Sequence, residues 1–478
     1  MAVGPWKNRY RYVILVVGLL CLTSISSNTL AFNLAQVCMA SNSQTNSTDD
    51  DIVSRAPRID YTPSEISLIN GAMALGITVA TIPCTMSFSH FGMRWPLFIS
   101  GMLSALSTFL MPFAAMKSFY ILLFLRLIQG IAYSANLPAV GKLCSSWSSL
   151  KQTGVFISVL TSYMALSSGL TNSLGAMLCE TDYGWPLVFY AHGAVCMLLF
   201  AAWLLCYDDL PSTSKQVSPK ELTKINHNKT KDQLHHGNVK MPYKNLLADV
   251  LVWVIWINAF AEFFITVFLT LYSPYYLRNA LKYNIEKTGH YAAISRIMQV
   301  PFRLAFGIAS DKIKFFDDNV KLVLFNSIAL GGAGLSLIGL GFVPDDYPIV
   351  GVILLTVISM VTGAASSGFF KGAVLYTRQY SQFVIGNCQL IKCGILFLAP
   401  LAVAVFVQNS ADKSQWRWIF LLAGITAIIA NCLFFRFSQA TPALYTAEGF
   451  FDQNLQQQTA DPLNLAAEKL ELPAKEAV

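Results

Sequence analysis

Long apolar runs separated by short polar breaks dominate this chain. Twelve runs are near the roughly 20 residues a helix needs to cross a bilayer. They fall at about 12–39, 65–88, 95–115, 119–143, 153–178, 185–206, 250–275, 289–310, 321–343, 348–372, 382–407 and 417–437. No soluble domain fits between them. The pattern predicts an all-α integral membrane protein of twelve transmembrane helices. The first run has a Lys7/Arg9/Arg11 flank like that of a signal peptide. It is too long and lacks a clear small-residue cleavage site, so we read it as a retained helix.

The widest polar gap, 208–249, divides the spans six and six. Between Lys215 and Lys244 it holds seven lysines against Glu221 and Asp232. The halves resemble each other: Trp185-x3-Phe189-x3-Gly193 opens the sixth span, and Trp416-x3-Phe420-x3-Gly424 opens the twelfth, 231 residues later. Two similar bundles around a midplane site are what a rocking carrier needs. The expected organisation is a six-helix bundle over 1–207, a cytoplasmic linker over 208–249, a second six-helix bundle over 250–437 and a cytoplasmic tail over 438–478.

Composition agrees: 54% of the 478 residues are hydrophobic and 12% charged, where soluble chains carry about 25% charged. With both ends inside, the inner segments hold 20 Lys/Arg and the outer segments 8, which is the bias that orients membrane helices. The outer loop 40–64 carries the sequon Asn46-Ser47-Thr48, a glycosylation candidate. The sequon at Asn228 falls inside. The cysteines form no CxxC pair, so neither a metal site nor a disulfide framework is suggested. A Cys38–Cys179 bridge on the outer side is open to the sequence, though unpaired thiols are the more usual case.

Six charges lie within spans: Arg126, Glu262, Arg296, Arg303, Lys371 and Lys392. A charge at the bilayer centre costs about 2.5–3.5 kcal/mol on insertion scales, so such residues face water or a partner. Five of the six are cations, which points to an anionic cargo. Arg126 suits a planar clamp on carboxylate or phosphate; the alternative is a structural cation held by carbonyls. Glu262 is either a proton carrier or the fixed partner of Arg296 or Lys392. Arg296 and Lys392 could meet cargo or pair with Glu262. Arg303 reads as an inner gate or a structural cation. Lys371, near the inner end of its span, is expected to snorkel. Tyr133, Asn70, Tyr163, Asn172 and Gln389 could add hydrogen bonds to cargo. His192 reads as a packed residue. No metal-spaced histidine cluster, nucleophile–base pair or phosphate loop supports an enzyme. No cofactor, metal or nucleic-acid partner is expected, and the chain reads as a monomer.

Gly307-Ile308-Ala309-Ser310-Asp311-Lys312 closes the eighth span and resembles the G-x3-D-R/K loop motif of the major facilitator superfamily. The resemblance implies a gating role for Gly307, Asp311 and Lys312, with the aspartate capping or pairing at a helix end to latch the halves. After the second span, Ser89-His90-Phe91-Gly92-Met93-Arg94 keeps only the Gly and the Arg; Ser89 stands where the acid belongs. Arg126-Leu127-Ile128-Gln129-Gly130, with Pro138 and Trp147, resembles the anion–cation symporter family of sodium–phosphate cotransporter-like proteins, sialin and vesicular glutamate carriers. Ile69-Asn70-Gly71 with Ile82-Pro83, Gly184-Trp185-Pro186, Ser367-Gly368-Phe369 and Pro400 follow that family in order, over roughly 10–440. Its nematode-type members are the nearest in flavour.

Several family positions differ. The span-one arginine of the family's glutamate carriers is missing between Arg11 and Arg55, and their histidine in span two is Asn70. The family's acid in span four, linked to proton coupling, is Tyr133. The span-seven arginine falls near Ala261 or Glu262, and the span-eleven asparagine is Gln389. The resemblance therefore implies a secondary transporter of small organic anions or phosphate, coupled to H+ or Na+, without implying glutamate. The alternatives are a vesicular or lysosomal exporter of acidic sugar or glutamate, and a transporter-like receptor or scaffold. The implied site is a plasma or endolysosomal membrane with both termini cytoplasmic.

Overall fold

A computed structural model of the protein describes residues 8–447, apart from 42–56, 58, 180, 228, 230–240, 345 and 410. Asn46 and the tail beyond 447 lie outside the described residues. Twelve long helices run through the described residues. The first six are α1 (Tyr10–Ser41), α2 (Pro63–His90), α3 (Arg94–Lys117), α4 (Phe119–Trp147), α5 (Leu150–Cys179) and α6 (Trp185–Cys206). The second six begin with α7 (Val250–Ala280), α8 (Ile285–Lys312) and α9 (Asp318–Leu340). Then come α10, in three pieces (Pro348–Thr362, Gly363–Ser366 and Phe369–Thr377), α11 (Ser381–Phe406) and α12 (Lys413–Phe437).

Ten stretches among the described residues are long and apolar enough to cross a membrane. The difference from twelve has two physical causes. The stretch Pro348–Phe406, 59 residues long, runs on without a long polar break, but the chain turns at Arg378, which takes φ 42° and ψ −109°, and so splits into α10 and α11. Helix α8 carries Glu286, Lys287, Arg296, Arg303, Asp311 and Lys312 and is too polar to qualify. It is placed instead by packing against α5 and α10.

Within the first half α2 packs on α4, α3 on α6, and α1 on α5 and α6; within the second, α8 packs on α10, α9 on α12, and α7 on α11 and α12. The halves meet along α2 and α4 against α11, and along α5 against α8. The repeat seen in the sequence has a packing basis. Gly193 of α6 lies against Ala105 of α3, and Gly424 of α12 against Gly334 of α9. Trp185 and Trp416 are both buried.

Cys38 and Cys179 form a disulfide between α1 and α5. At the other end of the molecule, carboxylates close the starts of helices. Glu221, on a short linker helix (Pro219–Asn226), accepts from the amides of Tyr10 and Arg11 at 3.0 Å each. Asp209 accepts from Met93 and Arg94 at 2.6 and 3.0 Å. Asp249 caps α7 through the Leu251 amide and also accepts from the hydroxyls of Tyr376 and Tyr445. These amides are the ones a helix leaves unpaired, and they carry the positive end of its dipole.

Candidate functional site: a mid-span charge cluster above a closed end

Arg126 is fully buried. Its Nη1 donates to the Thr29 carbonyl at 3.1 Å and to Gln129 Oε1 at 2.9 Å, and its Nη2 donates to Asn70 Oδ1 at 3.1 Å. The guanidinium carbon lies 4.9 Å from the centre of the Phe32 ring, a cation–π distance. Gln129 in turn donates to Thr108 Oγ1 at 2.8 Å. No carboxylate pairs with Arg126 among the described residues. Asn70 can reach it because α4 approaches α2 very closely. A Cβ on Gly130 would overlap the Met73 carbonyl of α2, so only glycine fits that position.

Glu262 of α7 pairs with Arg303 of α8, Oε1 to Nη2, at 3.7 Å, with side-chain exposures of 3% and 8%. The expected partners, Arg296 and Lys392, are not the ones it takes. Thr266 also donates to Oε1 at 3.3 Å, while Oε2 is buried without a hydrogen bond. Arg303 sits about two turns nearer the Asp311 end of α8 than Arg296. Its Nη1 donates across the halves to the Thr161 carbonyl at 3.1 Å. Helix α5 is interrupted at Ser162, and this frees that carbonyl.

Lys392 of α11 also reaches across the halves. Its Nζ donates to the Tyr133 hydroxyl of α4 at 2.9 Å and lies 3.8 Å from Met164 Sδ of α5. Arg296 is half-buried, with no hydrogen bond or ion pair among the described residues. Gln389 is buried with Oε1 unpartnered. Tyr163 is fully buried, and His192 Nδ1 lies 2.8 Å from the Val188 carbonyl of its own helix, as a packed residue would. The substrate-binding candidates thus form two bonded pairs, Arg126–Asn70 and Lys392–Tyr133, with Arg296 and Gln389 separate.

Below this level the halves are joined. Asp311 accepts from the amides of Gly154 and Val155, at 3.0 and 2.7 Å, and so caps the Thr153–Thr161 segment of α5 from the opposite half. Lys371 is not a snorkelling residue. It is 4% exposed, and its Nζ donates to Asp311 at 2.7 Å and to Ser310 Oγ at 2.9 Å. A counter-charge within reach holds it inside where solvent would otherwise draw it out. Lys312, the motif's own cation, stays exposed. A Cβ on Gly307 would overlap Ser158, so this glycine is what lets α8 lie against α5. On the pseudo-symmetric side, Gln382 at the start of α11 donates to Ser89 Oγ at 2.7 Å. Ser158 and Ser366 bond at 2.7 Å, and Ser381 donates to the Gly141 carbonyl at 3.1 Å.

Sequence reasoning missed Phe32 and the Thr29 and Thr161 carbonyls. Backbone acceptors leave no mark in a sequence, and Phe32 is one of 32 phenylalanines. Gln129 was visible, three residues after Arg126 and so on the same helix face.

The model of the Major Facilitator Superfamily matches residues 15–400. The uncharacterized transporter slc-17.3 of Caenorhabditis elegans is 23% identical over 417 residues, 84% of this chain and 77% of that protein. The probable small intestine urate exporter of Mus musculus is 23% identical, covering 81% and 78%. The mouse sodium-dependent phosphate transport protein 3 is 22% identical, covering 82% and 81%. Among solved structures, the proton:xylose symporter XylE superposes with a TM-score of 0.64 at 14% identity, covering 90% of this chain and 96% of that one; this likeness speaks for the fold alone. With its matched span, its helix packing and these relatives, the chain belongs to the Major Facilitator Superfamily and, within it, to the anion–cation symporter group of multi-pass membrane transporters.

Proposed function

We propose that this protein carries small organic anions or phosphate by alternating access, with H+ or Na+ as the coupling ion. One observation carries the reading. Glu262 is paired with Arg303, and Arg126, Arg296 and Lys392 have no carboxylate within ion-pair distance among the described residues. Uncompensated charge at mid-span is expensive, and an anionic cargo would offset it. Two of the relatives have urate and phosphate in their names, which supports the same class.

The bundles 1–207 and 250–437 would rock against each other, with 208–249 as the link and 438–478 as the tail. The Asp311 end is assigned to the cytoplasm. The lysine-rich linker lies there, and the Cys38–Cys179 disulfide lies at the opposite end, as expected of an oxidising compartment. A monomer in a plasma or endolysosomal membrane suffices for this cycle.

The test is uptake into proteoliposomes under imposed pH or sodium gradients. Anionic compounds are expected to drive counterflow and to compete with one another, and neutral analogues to compete poorly. Equal competition by neutral analogues would refute the anion assignment. Binding without any translocation would favour a receptor.

A further inference from the structure

At the Asp311 end a cavity of about 600 Å³ opens where the two halves meet. Leu150 and Lys151, at the start of α5, line one side; the other lining residues belong to the second half, except Ala440, which follows α12. The charged lining is Lys151, Lys314, Lys321, Lys371 and Arg378 with Asp311 and Asp318. Both carboxylates are already occupied, Asp311 by Lys371 at 2.7 Å and Asp318 by Lys321 at 2.6 Å. Lys151, Lys314 and Arg378 remain without an acidic partner among the described residues.

Arg378 sets this cavity apart from an ordinary basic surface. Its Nε is buried with no hydrogen-bond partner. Its backbone sits at φ 42° and ψ −109°, a region that favours glycine. Strain of this kind persists where the surroundings hold it, and it concentrates at ligand sites.

We propose that this cavity binds a multiply charged phosphate group, either a phosphoinositide lipid headgroup or a free polyphosphate, which bridges the halves and holds this end closed. Three unpaired cations call for a compact polyanion; a single carboxylate would leave two of them uncompensated. The guanidinium suits phosphate oxygens in its fork, and the two ammonium groups act as point charges. Lys151 stands on one half and Lys314 and Arg378 on the other, so the complete site exists only with this end closed. A ligand that binds one state alone favours that state. The site is separate from the mid-span cluster and does not depend on what the cargo is.

The test uses the full chain in nanodiscs, with two probes. One is inorganic tripolyphosphate added to phosphatidylcholine nanodiscs; the other is phosphatidylinositol 4,5-bisphosphate within the nanodisc. At least one probe is expected to raise the thermal midpoint and to slow amide exchange over 153–161. A response to the lipid alone assigns a headgroup; a response to tripolyphosphate assigns a free polyphosphate. Lys151→Ala and Arg378→Gly are each expected to weaken binding by about tenfold or more. Glycine tolerates the Arg378 backbone conformation, so that variant removes the guanidinium without removing the turn. Arg417→Ala, at the opposite end, is expected to bind as the parent does. Three results would overturn the proposal: neither probe binds, the two variants bind like the parent, or binding leaves exchange over 153–161 unchanged.

Discussion

Arg126 holds its charge among neutral acceptors: a carbonyl, two side-chain amide oxygens and a ring face. A lysine ammonium is a point charge on a flexible stem and cannot serve all of these at once. Arg126→Lys is therefore expected to express but to bind cargo about tenfold or more weakly, in line with the loss of one charge-assisted hydrogen bond; equilibrium binding or counterflow affinity checks it. Glu262 is different, because its charge is already paired. Glu262→Gln leaves Arg303 buried without its acid, and breaking such a pair costs about 3–5 kcal/mol. A clear fall in the thermal midpoint is expected, with recovery when Arg303→Met is added. If Glu262 also carries the coupling proton, Glu262→Gln abolishes pH-driven uptake while cargo exchange at equal pH survives.

Lys229, in the linker, adds a pH effect outside the membrane. Its Nζ donates to the Ser146 carbonyl at 2.7 Å, and burial pushes its pKa down from 10.5 to about 7. Between these values the undocked lysine is protonated and the docked one is not, so docking strengthens as pH rises from about 7 toward 10.5 and is level below 7. Limited proteolysis of the linker across that range checks it, and Lys229→Met is expected to flatten the profile.

At the scale of elements, carboxylates supplied from elsewhere in the chain cap the starts of α1, α3 and the Thr153–Thr161 segment of α5. For α1 and α3 the acid comes from the linker, so the cap anchors the linker to its own half. For α5 it comes from α8, so the cap joins the halves. The pseudo-symmetric contact, Gln382 to Ser89, is neutral. The Asp311 latch is therefore the charged one of the two. Asp311→Asn strips Lys371 of its counter-charge and weakens the cap, and amide exchange at Gly154 and Val155 is expected to rise by about tenfold or more. Ser89→Asp, which restores an acid beside Gln382 and the positive end of α11, is expected to slow exchange at the start of α11. Exchange measured by mass spectrometry reads both.

For the whole molecule, the cross-half bonds run from Lys392–Tyr133 at mid-span to Asp311 and Ser89 at one end, which describes a carrier closed at that end. Alternating access requires these to break together. Gly307→Leu places a side chain where α8 meets Ser158 of α5. It is expected to shift the population away from this closure, so that a cysteine placed at Leu150 reacts faster with an impermeant maleimide from the Asp311 side. Unchanged labelling would mean that this seam does not open in the cycle.

The sequence by itself determined the class and the count of passes, because bilayer thickness sets the length of an apolar run. It also picked out the charged residues at mid-span, since a buried charge is costly wherever it sits. That Asp311 caps or pairs at a helix end was suggested by the resemblance of Gly307–Lys312 to a known loop motif, and it does cap a helix segment of the opposite half. The reading of 348–372 and 382–407 as separate spans and of 289–310 as a span agrees with α10, α11 and α8; the backbone turn at Arg378 that separates the first two is not registered by hydropathy. Only the tertiary structure decided the pairings. Glu262 with Arg303, Lys371 with Asp311, Lys392 with Tyr133 and Cys38 with Cys179 all depend on how far apart helices stand and on how they are turned about their axes. Those distances come from glycine contacts and helix breaks summed over the fold, and residue spacing along one helix says nothing about its neighbour.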